Sequence, residues 1–270
     1  MPLRLAILEA DTPVPLTHAH YHGYLGVFRH LFTRAASPTP LDSIITLTGH
    51  DVVSNGHARP NSPAYPSLDD VDAILITGSK HTAFADDEWV VRLVDFVRSA
   101  LEHPRRIKIV GICFGHQIVA RALGTEVGRS DAGWEVSVTE TKLTPLGKSV
   151  FFGSPSSSSS SSSSSEVSTN RDTLSIQQMH RDQVLGLPEG AQLLASTDVC
   201  PNHGFLIPGR VITVQGHPEF TADIMREILD LRHEAGIFPD DVYASGVERN
   251  GDHHDGVLVA RAILRFLQEP

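Results

Sequence analysis

Short apolar runs separated by amphipathic stretches constrain this chain most. Leu3–Leu8, Ile44–Leu47, Ala73–Thr77 and Ile107–Ile112 are too short for ordinary helices. They are too apolar for strands with one wet face, so each is read as a buried strand. Between them, Gly23–Thr33 carries Leu25, Phe28, Leu31 and Phe32 at helical spacing. A second helix runs through Trp89, Leu93, Phe96, Val97 and Leu101, capped by Asp86 or Asp87 and stopped before Pro104. Gly115–Leu123 reads as a third helix, with Gly124 suited to its C-cap. Buried strands alternating with helices predict an α/β fold built on a doubly wound, mostly parallel sheet flanked by helices.

After Thr125 the pattern changes. Val136–Glu140, Leu174–Gln178, Gln192–Ser196, Phe205–Ile207 and Val211–Val214 read as short strands joined by turns, the signature of a small antiparallel flank. Thr221–Glu234 is a capped amphipathic helix and Val257–Leu267 a final one, with a loop expected over 237–256. Ser54–Asp70, rich in Pro, Asn, Ser and Gly, reads as another loop. The tract 154–170 holds an unbroken serine run with no apolar surface to bury, and a disordered surface insertion is expected there. The whole chain, 1–270, is read as one domain.

Composition closes off several classes. A net charge of -10 disfavours nucleic acid or an anionic membrane as the main partner. No apolar run is long enough to span a bilayer. Two cysteines make no disulfide framework, which points to a reducing, cytoplasmic setting with free thiols. The histidines of HAHYH (His18, His20, His22) and of Asp252–Asp255 have no partner cluster at a known ligand spacing, so no metal and no cofactor is expected.

One cysteine stands out. Gly111-Ile-Cys113-Phe-Gly115 places a thiol on a tight turn between a strand and a helix. There the helix dipole favours thiolate, and the Phe114 N–H can receive an oxyanion. A buried structural cysteine at a strand end is the competing account of these five residues. Downstream, Gln215-Gly-His217-Pro-Glu219 follows an expected strand directly. In extended backbone His217 and Glu219 face the same way, so the carboxylate can hold one ring nitrogen and leave the other for Cys113. That is a nucleophile, a base and a group that orients the base.

GICFGHQ together with QGHPEF resembles the class I glutamine amidotransferase family over about Leu3 to Glu234. Ile76–Val90 is similar to its stand-alone branch, which includes γ-glutamyl peptidases and fungal amidotransferase-like proteins. The resemblance implies a flavodoxin-like fold and a Cys113, His217 and Glu219 triad. It implies an oxyanion site at Phe114 with Gly78 and Ser79, and substrate contacts at Gln117. Met179–Asp182, which contains His180, resembles the segment beside the family's substrate pocket. Trp134 and Glu135, just past an expected substrate loop, are further candidates, with a half-buried packing role as the alternative for Trp134. The implied activity is hydrolysis of a γ-glutamyl amide through a Cys113 thioester. Ammonia would go to a separate acceptor synthetase, in fungal-type biosynthesis of a nitrogen-containing metabolite. One alternative is a γ-glutamyl peptidase acting on glutathione or its conjugates. Another is a non-catalytic partner-binding subunit.

Overall fold

The computed structural model describes residues 1–53, 64–153 and 171–270. In chain order the first half comprises β1 (Leu3–Glu9), α1 (Pro15–Tyr21), α2 (Tyr24–Ala36), β2 (Ile45–Asp51), β3 (Ala73–Ile76), α3 (Glu88–Glu102), β4 (Lys108–Ile112) and α4 (Phe114–Ala122). Then come β5 (Val127–Arg129), β6 (Glu135–Leu143), α5 (Pro145–Phe152), β7 (Thr173–His180), β8 (Asp182–Val184), β9 (Gln192–Leu193) and β10 (Ala195–Ser196). The chain closes with β11 (Phe205–Ile207), β12 (Val211–Val214), α6 (Ala222–Glu234), α7 (Asp240–Arg249) and α8 (Gly256–Gln268).

The central sheet has the order β2-β1-β3-β4-β12-β11-β9. Its first five strands are parallel, and β11 and β9 add an antiparallel edge. Successive residues of a strand face opposite ways, and here both ways lead into a core. Leu5, Ile7, Val110, Ile112 and Ile212 pack with α2, α6 and α8, whereas Ala6, Leu8, Ile74, Ile76 and Ile109 pack with α3 and α4. That is why the sequence shows apolar runs rather than alternation. Smaller antiparallel sheets, β10-β6-β7 and β5-β8, stand beside the main one.

Several expectations are corrected. β12 is not part of a flank. It lies inside the main sheet, in parallel register with β4 from Val211 against Ile109 to Val214 against Ile112. The expected loop over 237–256 contains α7, a helix whose single buried residue is Gly246. A Cβ there would stand 2.9 Å from Leu229 Cδ2, so the glycine lets α7 lie close against α6. Asp87 occupies the N-cap of α3 but its side chain caps nothing, and Asp86 instead pairs with Arg121 at 3.2 Å. His18 and His20, from HAHYH, lie in α1. The serine-rich tract 154–170, and 54–63 of the expected loop, lie outside the described residues.

This arrangement matters because β1, β3, β4 and β12 end at the same edge. The chain segments leaving them carry Asp11, Gly78, Cys113 and His217. A crevice beyond the carboxyl ends of parallel strands is where such sheets bind ligands.

Candidate active site

Cys113 joins β4 to α4 with φ 51° and ψ -103°. A residue with a Cβ held at positive φ costs about 1–3 kcal/mol, so the surroundings must enforce it. They do so at both peptide groups. The Cys113 N–H donates to the Val214 carbonyl at 2.9 Å, and its carbonyl accepts from Gln117 N–H at 3.1 Å. The flanking glycines are required by close approach. A Cβ at 115 would collide with the Ile76 carbonyl, and one at 111 would stand 2.7 Å from the Gly115 oxygen. The Phe114 ring stacks on Trp89 with centroids 5.7 Å apart, which anchors the first turn of α4. Its N–H heads that helix and donates to no described residue, leaving it free for an anion.

His217 follows β12. Its N–H donates to the Gln177 carbonyl of β7 at 2.8 Å, and its ring lies parallel to Phe220 at 4.0 Å. Nδ1 is 2.8 Å from Oε1 of the buried Glu219. The carboxylate occupies Nδ1, which leaves Nε2 as the ring nitrogen available to Cys113. Burial alone would lower the imidazole pKa. The negative charge of a Cys113 thiolate, then that of Glu219, outweighs burial and pushes the pKa up to about 10. A Cβ on Gly78 would stand 2.5 Å from His217 Cε1, so only glycine fits beside this ring.

The remaining expected residues gather at the same edge. Gln117 donates from Nε2 to the Asp182 carbonyl at 2.8 Å and to Gln215 Oε1 at 3.1 Å. Buried His180 places Nδ1 3.2 Å from the Asp182 carbonyl and Nε2 3.0 Å from Glu135 Oε2. Ser79 and Trp134 line the crevice directly.

The crevice has two lobes. A cavity of about 260 Å³ is lined by Cys113, Phe114, Gln117, Arg129, His180 and Arg181. A second, of about 530 Å³ and largely apolar, is lined by Pro13, Val14, Tyr24, His217, Phe220 and Ile228. Ser79, Lys80, Trp134, Met179, Arg232 and Ile237 border both. The sulfur therefore opens into the small lobe and the histidine into the large one. Sequence reasoning did not find Asp11, Tyr24, Phe220 or Arg232. Phe220 adjoins the HPE stretch and was the most findable. The others come from elements distant in sequence.

A second grouping of the same residue types lies behind the small lobe. Glu135, Cys200 and His203 are the described residues whose potential metal-ligand atoms all lie within 4.8 Å of one another. Glu135 Oε2 stands 2.8 Å from His203 Nε2, while Glu135 Oε1 accepts from Thr197 Oγ1 at 2.8 Å. Oxygen and nitrogen ligands around a tetrahedral zinc stand about 3.3 Å apart, so the 2.8 Å contact is that of a hydrogen bond. Burial opposes ionisation of Glu135, yet the adjacent imidazoles of His180 and His203 hold its carboxyl well below the usual range. Burial pushes the Cys200 thiol up to about 12, and its S–H points at the Asn202 carbonyl 3.4 Å away.

A cysteine at positive φ, at the carboxyl edge of a parallel sheet and beside a His–Glu pair, defines the cysteine-elbow class of α/β proteins. Comparison with known proteins narrows this. Residues 48–231 match the model of the class I glutamine amidotransferase family. A glutamine amidotransferase-like protein of Schizosaccharomyces pombe is 32% identical over 269 residues, covering 100% of both chains. γ-Glutamyl peptidase 3 of Arabidopsis thaliana is 32% identical over 229 residues, 84% of this chain and 81% of that one. A glutamine amidotransferase crystal structure from Thermotoga maritima superposes with a TM-score of 0.69 at 17% identity, covering 100% of both chains, and so shares the fold. The chain belongs to the class I glutamine amidotransferase family, as its motifs led one to expect. No described helix is long and apolar enough to cross a membrane.

Proposed function

We propose that the chain is a γ-glutamyl hydrolase whose leaving group is an amino acid or peptide rather than ammonia. The observation that carries this reading is the apolar cavity of about 530 Å³ on the His217 side. Ammonia is about the size of water, which takes up about 30 Å³, and needs no such room. Relatives named γ-glutamyl peptidases lend support.

In this reading the γ-glutamyl group enters the smaller lobe and the Cys113 thiolate attacks its γ-carbonyl carbon. The Phe114 N–H and the backbone near Gly78 and Ser79 receive the oxyanion. The raised His217 pKa means that the proton already sits on the ring before attack. On collapse of the tetrahedral intermediate the C–N bond breaks, and His217 delivers that proton to the leaving nitrogen. Glu219 holds the ring. The amine departs through the larger lobe and leaves a γ-glutamyl thioester. Water, deprotonated by His217, attacks the thioester. Glutamate is released and the thiolate restored.

The test is glutamate release by the purified protein from glutamine and from glutathione, with Cys113→Ala as the control. Release from glutathione well above that from glutamine is expected. Release from glutamine alone would overturn the reading in favour of ammonia supply to an acceptor enzyme.

A further inference from the structure

Arg232 is the described cation at this crevice left without an acidic or carbonyl partner. It projects from α6, its guanidinium 5.5 Å from the Trp134 ring centre. No ion pair and no side-chain hydrogen bond joins it to another described residue. Its neighbours are all engaged. Lys80 pairs with Asp11 at 2.5 Å, Arg129 with Asp182 at 3.2 Å, and Arg181 donates to the Ser130 carbonyl at 3.4 Å. Burial pushes the Arg232 pKa down, and the charge of Cys113 leads the effects that oppose this. A half-buried guanidinium without a counter-ion is costly, and the cost is recovered only when an anion arrives.

Arg232 borders both lobes, and its neighbours indicate which end of a substrate would bring that anion. The other α6 residues at the crevice, Ile228 and Leu231, border the His217 lobe alone. Arg129 and Arg181 border the Cys113 lobe alone, where the γ-glutamyl group would carry its own α-carboxylate. The cation–π contact with Trp134 holds the guanidinium at the crevice, and its N–H groups, without a hydrogen-bond partner among the described residues, remain available for a two-point contact with a carboxylate. We propose that Arg232 receives a free carboxylate of the leaving group, so that the crevice selects γ-glutamyl amino acids and peptides over γ-glutamyl amines and glutamine. This inference rests on the γ-glutamyl hydrolase reading above.

The test compares γ-glutamyl-alanine and γ-glutamyl-alanyl-glycine, each as the free acid and as its C-terminal amide. The wild type is expected to prefer the acid by about 10- to 100-fold in kcat/KM at one of the two lengths, the scale of a hydrogen bond to a charged group. In Arg232→Gln the acid-to-amide ratio should fall to about one, mainly through KM, and Arg232→Lys should restore part of it. Calorimetric binding of acid and amide to Cys113→Ala reads the same ratio without turnover. A wild-type ratio near one at both lengths overturns the proposal. So does a ratio unchanged by Arg232→Gln, which would place the arginine at the γ-glutamyl end or in the fold. Failure of the hydrolase reading looks different: glutamate from glutamine, and none from any of the four peptides.

Discussion

Two groupings of Cys, His and Glu sit in one molecule and behave in opposite ways. Around Cys113 the backbone is strained, the sulfur faces a cavity, and the neighbouring imidazole holds its proton up to about pH 10. Around Cys200 the thiol is sealed from solvent and stays protonated, while the glutamate is shared among Thr197, His180 and His203. Residue type does not separate the two. The separation comes from three physical differences. One histidine has a pKa raised by a nearby cysteine and a carboxylate. One cysteine heads a helix at a sheet edge. One site is open to a ligand.

The comparison can be broken most directly by removing each thiol in turn. Cys113→Ala should lower glutamate release by about 10³-fold or more, because the nucleophile is lost. Cys200→Ala should stay within about threefold, and the reverse result would exchange the two roles. A Cβ at Gly78 should reach the first site alone. Gly78→Ala pushes on His217, and a displacement on the order of 1 Å costs about 10²-fold in activity. Its melting temperature should move far less than its kcat/KM. Alkylation sharpens the contrast further. Iodoacetamide should modify Cys113 at least about tenfold faster than Cys200, as read by mass spectrometry of peptides, since the thiolate is the reactive form.

Smaller effects distinguish the two acids and the two imidazole environments. His217 has a raised pKa, so its proton is in place below about pH 10 and is lost above it. The kcat/KM profile should therefore decline above about pH 10, and in Cys113→Ala the ring should titrate lower by NMR. Glu135 is the opposite case. Its folded pKa is depressed, so its stabilisation is present above its unfolded value of about 4.3 and fades as pH falls through the folded one. Glu135→Gln should cost about 1–3 kcal/mol in denaturant unfolding at pH 7. That gap should close in acid.

Much of this could be read from sequence, where the signals are local. The runs that became β1, β3 and β4 lie between two cores and show it in composition. The small residues at 111 and 115 mark the tight turn because nothing larger fits. The partner of Val211–Val214 could not be read. A four-residue apolar strand looks the same in a hairpin as beside β4, and its pairing spans about a hundred residues. The helices missed were short ones. α5 had legible start signals, with Thr144 capping Gly147 N–H and Pro145 in the first turn. α7 carries Val242, Tyr243 and Val247 at helical spacing, packed against the core, but Pro239, Gly246, Asn250 and Gly251 in and around it read as a loop. Arg232 was hidden for a related reason. On an amphipathic helix it resembles any solvated arginine until the ring of Trp134, from the loop before β6, meets it.

The two hydrogen bonds that pin Cys113 also bear on how this protein should fail when heated. Its N–H is tied to the central strand β12 and its carbonyl to the first turn of α4. It sits where the sheet is buried on both faces, so it belongs to the part of the molecule that opens last. The turn has no cheap local way to relax. Heat inactivation and global unfolding should therefore coincide, with no temperature range in which the chain stays folded but its elbow has gone slack.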